Sequence, residues 1–439
     1  MPRLGEISRK GSEFIEVPSL PWLNRALNGG FVRGAVYLLA GGPGLGKTTL
    51  VNQALGDMAS RGRKVLYVST EQSLGEFKTA LERLHARGGP LPNAIVQNFF
   101  ADDTVDDVDA LPKFLTRKVL TAGEEYHGVE VIAIDSVQGR GLSSNATRKY
   151  TALYEFANMA RAQGLVSILV GHVTKSGAIA GPKNLEHNVD CILYLRRAFR
   201  LRPFFVQKNR FGPDVIEPVV LIMDERGRLV KSPLSAAKRT TVYGFSGAGS
   251  ELTEAQASVS LPKYGCRPEL LAPFLPQKRV QQLLGVLNNL QEIDLSDLSY
   301  QINCYLPRQQ RYRAELDLTL SVALLSSYVQ HPLPPKALFA GELDLMTRVR
   351  APDDEYLCNL GAVLVGPHAG NIRKVFIAKE AAARLSRFQA EKDGPRLGDT
   401  IQVVGVTDLQ DVVAALWPDL RADSNDGKGG TWEKFTKPT

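Results

Sequence analysis

The chain has 439 residues, 44% of them hydrophobic and 23% charged, enough for two or three domains with cores of their own. That balance excludes a largely disordered or collagen-like chain. Its 53 Lys and Arg against 46 Asp and Glu leave a net charge of +7, which permits an acidic partner such as nucleic acid without requiring one.

No apolar run approaches the roughly 18 residues that span a bilayer, and residues 1–14 are polar with no apolar secretory core. A cytoplasmic location is expected, with no membrane partner. The cysteines Cys191, Cys266, Cys304 and Cys358 contain no Cys-x-x-Cys pair, which excludes a zinc ribbon or redox dithiol on spacing. They are expected to be buried free thiols.

From residue 34 to 230, β-rich apolar runs alternate with helical periodicity. The runs are 35–40, 65–69, 129–135, 165–172, 191–195, 203–210 and 219–224. Leu50, Val51, Ala54, Leu55 and Met58 recur on one helical face. Continuous apolar strands separated by helices predict an α/β fold with a mostly parallel sheet covered on both faces. Residues 231–260 turn small and polar, which predicts a boundary. Beyond it, helices are predicted over 280–290 and 316–328, and strands over 301–306, 337–343, 374–378 and 402–406. The expected division is an N-terminal segment 1–16, an α/β domain 17–231, a linker 232–258, a second α+β domain 259–420 and a flexible tail 421–439.

The run Gly41, Gly42, Pro43, Gly44, Leu45, Gly46, Lys47, Thr48, followed by Thr49, fits G-x-x-x-x-G-K-[ST] between a strand and an amphipathic helix. Glycines let backbone N–H groups turn inward around a phosphate, and the helix N-terminus adds its positive end. Lys47 is expected to neutralise the terminal phosphates of ATP, and Thr48 to ligate Mg²⁺. Asp135 ends an apolar strand, where a carboxylate enters the ligand crevice of such sheets and can share the Mg²⁺ site. Glu71, after the 65–69 strand, is a candidate general base. His172, at the end of the 165–172 run, is a candidate γ-phosphate sensor, although a lone histidine is more often structural. The Gly-rich stretch 171–183 combines flexibility with Lys175 and Lys183, which suits a phosphate-sensing or DNA-contacting loop. Lys208 and Arg210 lie two apart on a predicted strand, so both leave one face and can meet one anion, such as a neighbouring subunit's γ-phosphate.

These residues resemble the bacterial RadA (Sms) family, a RecA-like ATPase fused to a Lon-like domain. The matching runs are 41–48, 65–73, 134–138, 171–175, 179–183, 185–190 and the Lys208-Asn-Arg-Phe-Gly212 motif. The resemblance implies a homo-oligomeric ring, of the hexameric kind, that hydrolyses ATP with Mg²⁺ and moves on single-stranded or branched DNA during recombination and repair, with a recombinase as a possible partner. It implies nucleotide and Mg²⁺ roles for Lys47, Thr48 and Asp135 and the base role for Glu71. Lys208 and Arg210 would reach the adjacent subunit's nucleotide. Loops around 139–149, with Arg148 and Lys149, and around Lys175 and Lys183 would face DNA. The family's four-cysteine zinc finger has no counterpart in residues 1–16, which hold neither Cys nor His, so no zinc is expected.

The run 316–327 with Pro332 to Pro335 and 341–345 resembles the Lon-like fold. There the nucleophilic serine position falls at Glu315 and the activating lysine position near Gly361. Neither residue can do that chemistry, so a scaffold rather than a protease is expected. A second function reading is a nucleotide-gated regulatory ring similar to KaiC, which binds protein partners and does not translocate.

Overall fold

The computed structural model describes residues 13–420 apart from Glu71, 87–88, 139–145, 173–184, 233–240, Ala248, Ser250, 291–292, 308–310, 367–371 and 390–395. Two compact units are present. The first takes the described residues up to Thr241 together with Ala255–Tyr305 and Leu320–Pro332. The second takes Val242–Glu254, Leu306–Thr319 and the described residues from Leu333.

The first unit begins with β1 (Phe14–Ile15), α1 (Pro21–Ala26) and β2 (Phe31–Val32), β1 and β2 pairing antiparallel. Then come β3 (Val36–Gly41), α2 (Lys47–Ser60), β4 (Val65–Ser69), α3 (Leu74–His85), α4 (Asn93–Asn98) and β5 (Phe99–Asp102). They are followed by α5 (Leu111–Phe114), β6 (Val131–Asp135), α6 (Ala146–Ala162), β7 (Val166–His172) and α7 (Leu185–Asn188). Four strands complete the sheet: β8 (Cys191–Leu195), β9 (Leu201–Asn209), β10 (Val215–Met223) and β11 (Leu229–Lys231).

The sheet has nine strands in the order β11-β10-β9-β8-β3-β7-β6-β4-β5. From β5 to β8 every pairing is parallel. Every residue of β3, β4 and β6 is buried, as expected of strands covered on both faces. On one face, α2 seats Leu50, Val51, Ala54, Leu55 and Met58 in a core that includes Tyr37, Leu39, Tyr67 and Ile168. The α3 helix starts at a reciprocal Ser73–Glu76 capping box.

On one side of the sheet the strand direction changes. The pairings β8–β9, β9–β10 and β10–β11 are antiparallel. Only residues 196–200 join β8 to β9, and a parallel connection needs a crossover of about a dozen residues or more.

The second unit holds four parallel strands in the order Val242–Gly244, Ala337–Ala340, Lys374–Ala378 and Gln402–Val406. Its core gathers Leu338, Val375 and Ile377 from the strands with Tyr356, Leu360 and Leu364 from the helix Asp354–Val365. Glu315 sits in the short turn Ala314–Leu316 ahead of the helix Asp317–Val329, where its carbonyl accepts from Gly341 N at 2.8 Å. A Cβ on Gly361 would come within 2.5 Å of the Phe388 ring. Ser326 Oγ donates to His331 O at 2.8 Å, and Ser321 is fully buried.

All four cysteines are free. Cys191 and Cys304 are buried as expected, but Cys266 and Cys358 are exposed, Cys358 because it lies on the outer face of its helix. Among the described residues no helix is long and apolar enough to cross a membrane.

Candidate nucleotide site

Strand register brings the candidate residues to one end of the sheet. Gly41 at the end of β3 pairs with His172 at the end of β7. Asp135 pairs with Val170 on β7 and with Ser69 on β4. The carboxyl ends of β3, β7, β6 and β4 therefore open onto one crevice, the usual ligand position of such sheets.

The loop after β3 turns through two left-handed glycines, Gly44 at φ 69° and Gly46 at φ 94°. Gly46 is the N-cap of α2, and a Cβ there would press on Met223 Cε at 3.1 Å and Leu229 Cδ1 at 3.3 Å. Its left-handed conformation favours glycine, and a side chain there would also have to displace those two side-chain ends.

Lys47 folds back over this loop. Its Nζ donates to the carbonyls of Gly41 and Gly42 at 2.9 Å each and lies 3.3 Å from His172 Nδ1. The residue is 5% exposed. A phosphate entering the loop would offer this ammonium an ionised acceptor, a stronger partner than two neutral carbonyls.

The Thr48 Oγ1 donates to Asp135 Oδ2 at 2.6 Å, and the Tyr67 hydroxyl donates to the same oxygen at 2.9 Å. Tyr67 is itself stacked on Phe77, ring centroids 4.2 Å apart. Thr70 holds the next residue: its N donates to Asp135 O at 2.8 Å and its Oγ1 accepts from Ser136 N at 2.9 Å. A hydroxyl and a carboxylate so close together are the hard oxygen donors that Mg²⁺ accepts beside phosphate oxygens and water. Among the described residues no group of three or more His, Cys, Asp or Glu could hold a metal ion. The candidate base Glu71 lies outside the described residues. Its flank is fixed by Ser69, whose Oγ donates to Gln72 O at 2.7 Å and accepts from Gln72 N at 2.9 Å.

Lys208 and Arg210 are engaged within the chain. Lys208 is 8% exposed, and its Nζ donates to Glu186 O at 2.8 Å and Val189 O at 2.7 Å, closing the carbonyl end of α7. The same ammonium lies 4.7 Å from the centroid of the Tyr264 ring. Burial, then the neighbouring Arg210 charge, lower its pKa from the usual lysine value. Arg210 lies just past the end of β9, and its guanidinium bonds Asp190 Oδ1 at 2.9 Å while remaining half exposed. Asp190 also meets Arg161 at 3.2 Å and accepts from Val36 N at 2.9 Å, which ties Arg210 to the base of β3.

The α6 candidates are ion-paired. Arg148 contacts Asp109 at 2.8 Å, and Lys149 reaches Asp107 at 3.5 Å and Gln138 O at 3.0 Å. Arg148 stays largely exposed, whereas Lys149 is mostly covered. Lys175 and Lys183 lie outside the described residues.

Residues 19–227 match the family model described as ATPase: KaiC. The DNA repair protein RadA of Salmonella typhimurium is 32% identical over 346 residues, covering 74% of this chain and 70% of that one. The RadA of Listeria monocytogenes is 29% identical over 91% of this chain and 84% of its own length. The chain belongs to the RadA family. A solved structure titled as the crystal structure of the RadB recombinase is similar at 23% identity and a TM-score of 0.37, covering 47% of this chain and 94% of that one.

In this RadA-family chain the mostly parallel α/β core expected from the sequence carries the P-loop. Three participants had no sequence signal. Tyr67 reads as an ordinary strand residue, Met223 as an ordinary core one, and Tyr264 lies 56 positions beyond the lysine it covers. Met223 is 37% exposed beside Gly46, an apolar surface at the mouth of the loop.

Proposed function

We propose that the chain is a DNA-stimulated ATPase of recombination and DNA repair, working as a homo-oligomeric ring, hexameric by the family resemblance, on single-stranded or branched DNA. The observation that carries the ATPase part is the meeting of Lys47, Thr48, Asp135 and His172 at the carboxyl ends of adjacent strands. The DNA part rests on the RadA relatives, each named a DNA repair protein. In this reading the 41–49 loop encloses the phosphates, Lys47 moves from carbonyls to phosphate, and His172 beside it senses the terminal group. Thr48 and Asp135 hold Mg²⁺, which would neutralise phosphate charge. Glu71 orients the attacking water as the general base. Arg210 acts on a neighbouring subunit's nucleotide, with Lys208 fixing the segment behind it. Arg148, Lys149, Lys175 and Lys183 face DNA. The chain from about 259 to 420 is a Lon-like scaffold without protease chemistry.

The match to a KaiC model favours one alternative, a nucleotide-gated ring that recruits protein partners. Hydrolysis measured with and without single-stranded DNA at two salt concentrations separates the two, with Lys47→Ala as control. A DNA motor is stimulated, and the stimulation fades with salt because binding releases counterions. Hydrolysis indifferent to DNA would sink the motor reading.

A further inference from the structure

We propose that Arg197 is a nucleotide contact, a guanidinium at the rim of the 41–48 loop that binds the phosphate chain of the nucleotide held there. The inference rests on the reading of that loop as a nucleotide site and adds a residue from outside the loop to it.

The placement begins with Gly41. It pairs with Leu195 across β3 and β8, and a Cβ on Gly41 would stand 2.6 Å from Leu195 O. The bare glycine lets the end of β8 lie against the start of the loop, so the next residues, Arg196 to Arg200, emerge beside it. That turn is firmly seated. Arg196 is 5% exposed, with Nη1 on Ser296 O at 2.5 Å and on Asp294 Oδ1 at 3.4 Å. Ala198 is fully buried and bridges to Leu201 and Ile293. The carbonyl of Arg197 accepts from Asp294 N at 3.0 Å and from the Tyr328 hydroxyl at 3.3 Å.

The backbone of Arg197 is thus fixed while its side chain is exposed. Its Nη2 lies 3.9 Å from where a Cβ on Gly44 would stand, with no other heavy atom within 4 Å of that point outside the neighbouring residues. Gly44 is one of the two left-handed residues that open the loop toward a phosphate.

The electrostatics support the same occupant. Among the described residues the Arg197 side chain has no hydrogen bond and no ion pair. One charged neighbour is Arg202, another cation, whose pKa is lowered by burial and then by Arg197. The two guanidiniums repel, and an anion beside Arg197 offsets that cost. A planar guanidinium matches phosphate oxygens in pairs, which lysine cannot do.

The test is equilibrium binding of a fluorescent ATP analogue to the full chain, with unlabelled ATP and GTP as competitors. Parent, Arg197→Ala, Arg200→Ala and Lys47→Ala are compared, with melting temperatures as the folding control. Arg197→Ala should weaken ATP and GTP by the same factor, about tenfold, or about 1.4 kcal/mol. Arg200→Ala, exposed in the same turn, should bind as the parent does. Unchanged affinity in Arg197→Ala beside a weakened Lys47→Ala would overturn the Arg197 contact and leave the loop reading intact. Weakening of ATP but not GTP would also overturn it, assigning the guanidinium to the base. Normal binding by Lys47→Ala would defeat both readings.

Discussion

Lys208 and Val189 are joined across the end of a helix: the ammonium donates to the Val189 carbonyl at 2.7 Å, and Glu186 O receives a second bond at 2.8 Å. Truncation to Lys208→Ala leaves two carbonyls without their cation, a loss of roughly 1–3 kcal/mol. Lys208→Met keeps the stem and loses the same bonds, so it should be similarly unstable. Chemical denaturation of both variants checks this. A parental midpoint in Lys208→Met would mean the bonds contribute little.

Arg210 should behave differently. Its pair with Asp190 is half exposed, and Arg161 also holds that carboxylate, so Arg210→Ala should cost at most about 1 kcal/mol. Its expected defect is turnover, with ATP binding retained. Mixed with Lys47→Ala subunits, which lack only the loop lysine, it should regain part of the rate. Hydrolysis by Arg210→Ala alone at the parental rate would end the assignment of this arginine to a neighbour's nucleotide.

Thr48→Val removes the hydroxyl and preserves the shape, which isolates its oxygen. The variant should lose the Mg²⁺-dependent part of ATP affinity and on the order of 100-fold in hydrolysis. Tyr67→Phe, which removes the hydroxyl that donates to Asp135, should lose far less. Binding titrated with and without Mg²⁺ reads both.

Gly56 and His85 set two effects against each other. Alanine favours a helix interior over glycine by about 1 kcal/mol. Yet a Cβ at Gly56 would sit 2.1 Å from His85 Nε2, and overpacking costs about 1–3 kcal/mol. The clash wins, so Gly56→Ala should destabilise the chain, and adding His85→Ala should restore much of the loss. A parental melting temperature for the single variant would show that the imidazole moves aside freely.

The same histidine gives a pH dependence. Burial is the largest influence on His85 and lowers its pKa, although the bond to Asn52 O at 3.0 Å opposes the shift. The unfolded chain therefore takes up this proton at a higher pH than the folded one. Stability should be lost as pH falls below about 6.5, down to the lower folded value, and His85→Gln should flatten that part of the curve. Denaturation midpoints between pH 7 and 5 measure the difference.

The residues that sequence patterns could expose are those whose signal is local. The 65–69 run is apolar because both faces of β4 are covered, and the P-loop is contiguous, so both could be read directly. Strand direction was harder, since it depends on the five residues 196–200 rather than on β9 itself. The aim of Lys208 was harder still. Pairing steps from Leu193–Val206 to Ile192–Lys208, so a bulge at Gln207 breaks the alternation that simple strand geometry assumes. Tyr67 and Tyr264 act through partners distant in sequence, which periodicity does not register.

Gln53 supplies a mechanical consequence. It sits within α2, and its amide both accepts from Leu229 N at 2.8 Å and donates to Leu229 O at 3.3 Å, as a neighbouring strand would. The helix that begins at the phosphate loop is thus latched to β11 at the opposite edge of its half of the sheet. When α2 shifts or turns, either the latch opens and leaves buried polar groups unmet, or β11 travels with it. A nucleotide that moves the helix would therefore either strain this latch or carry along β11, the last strand of the sheet.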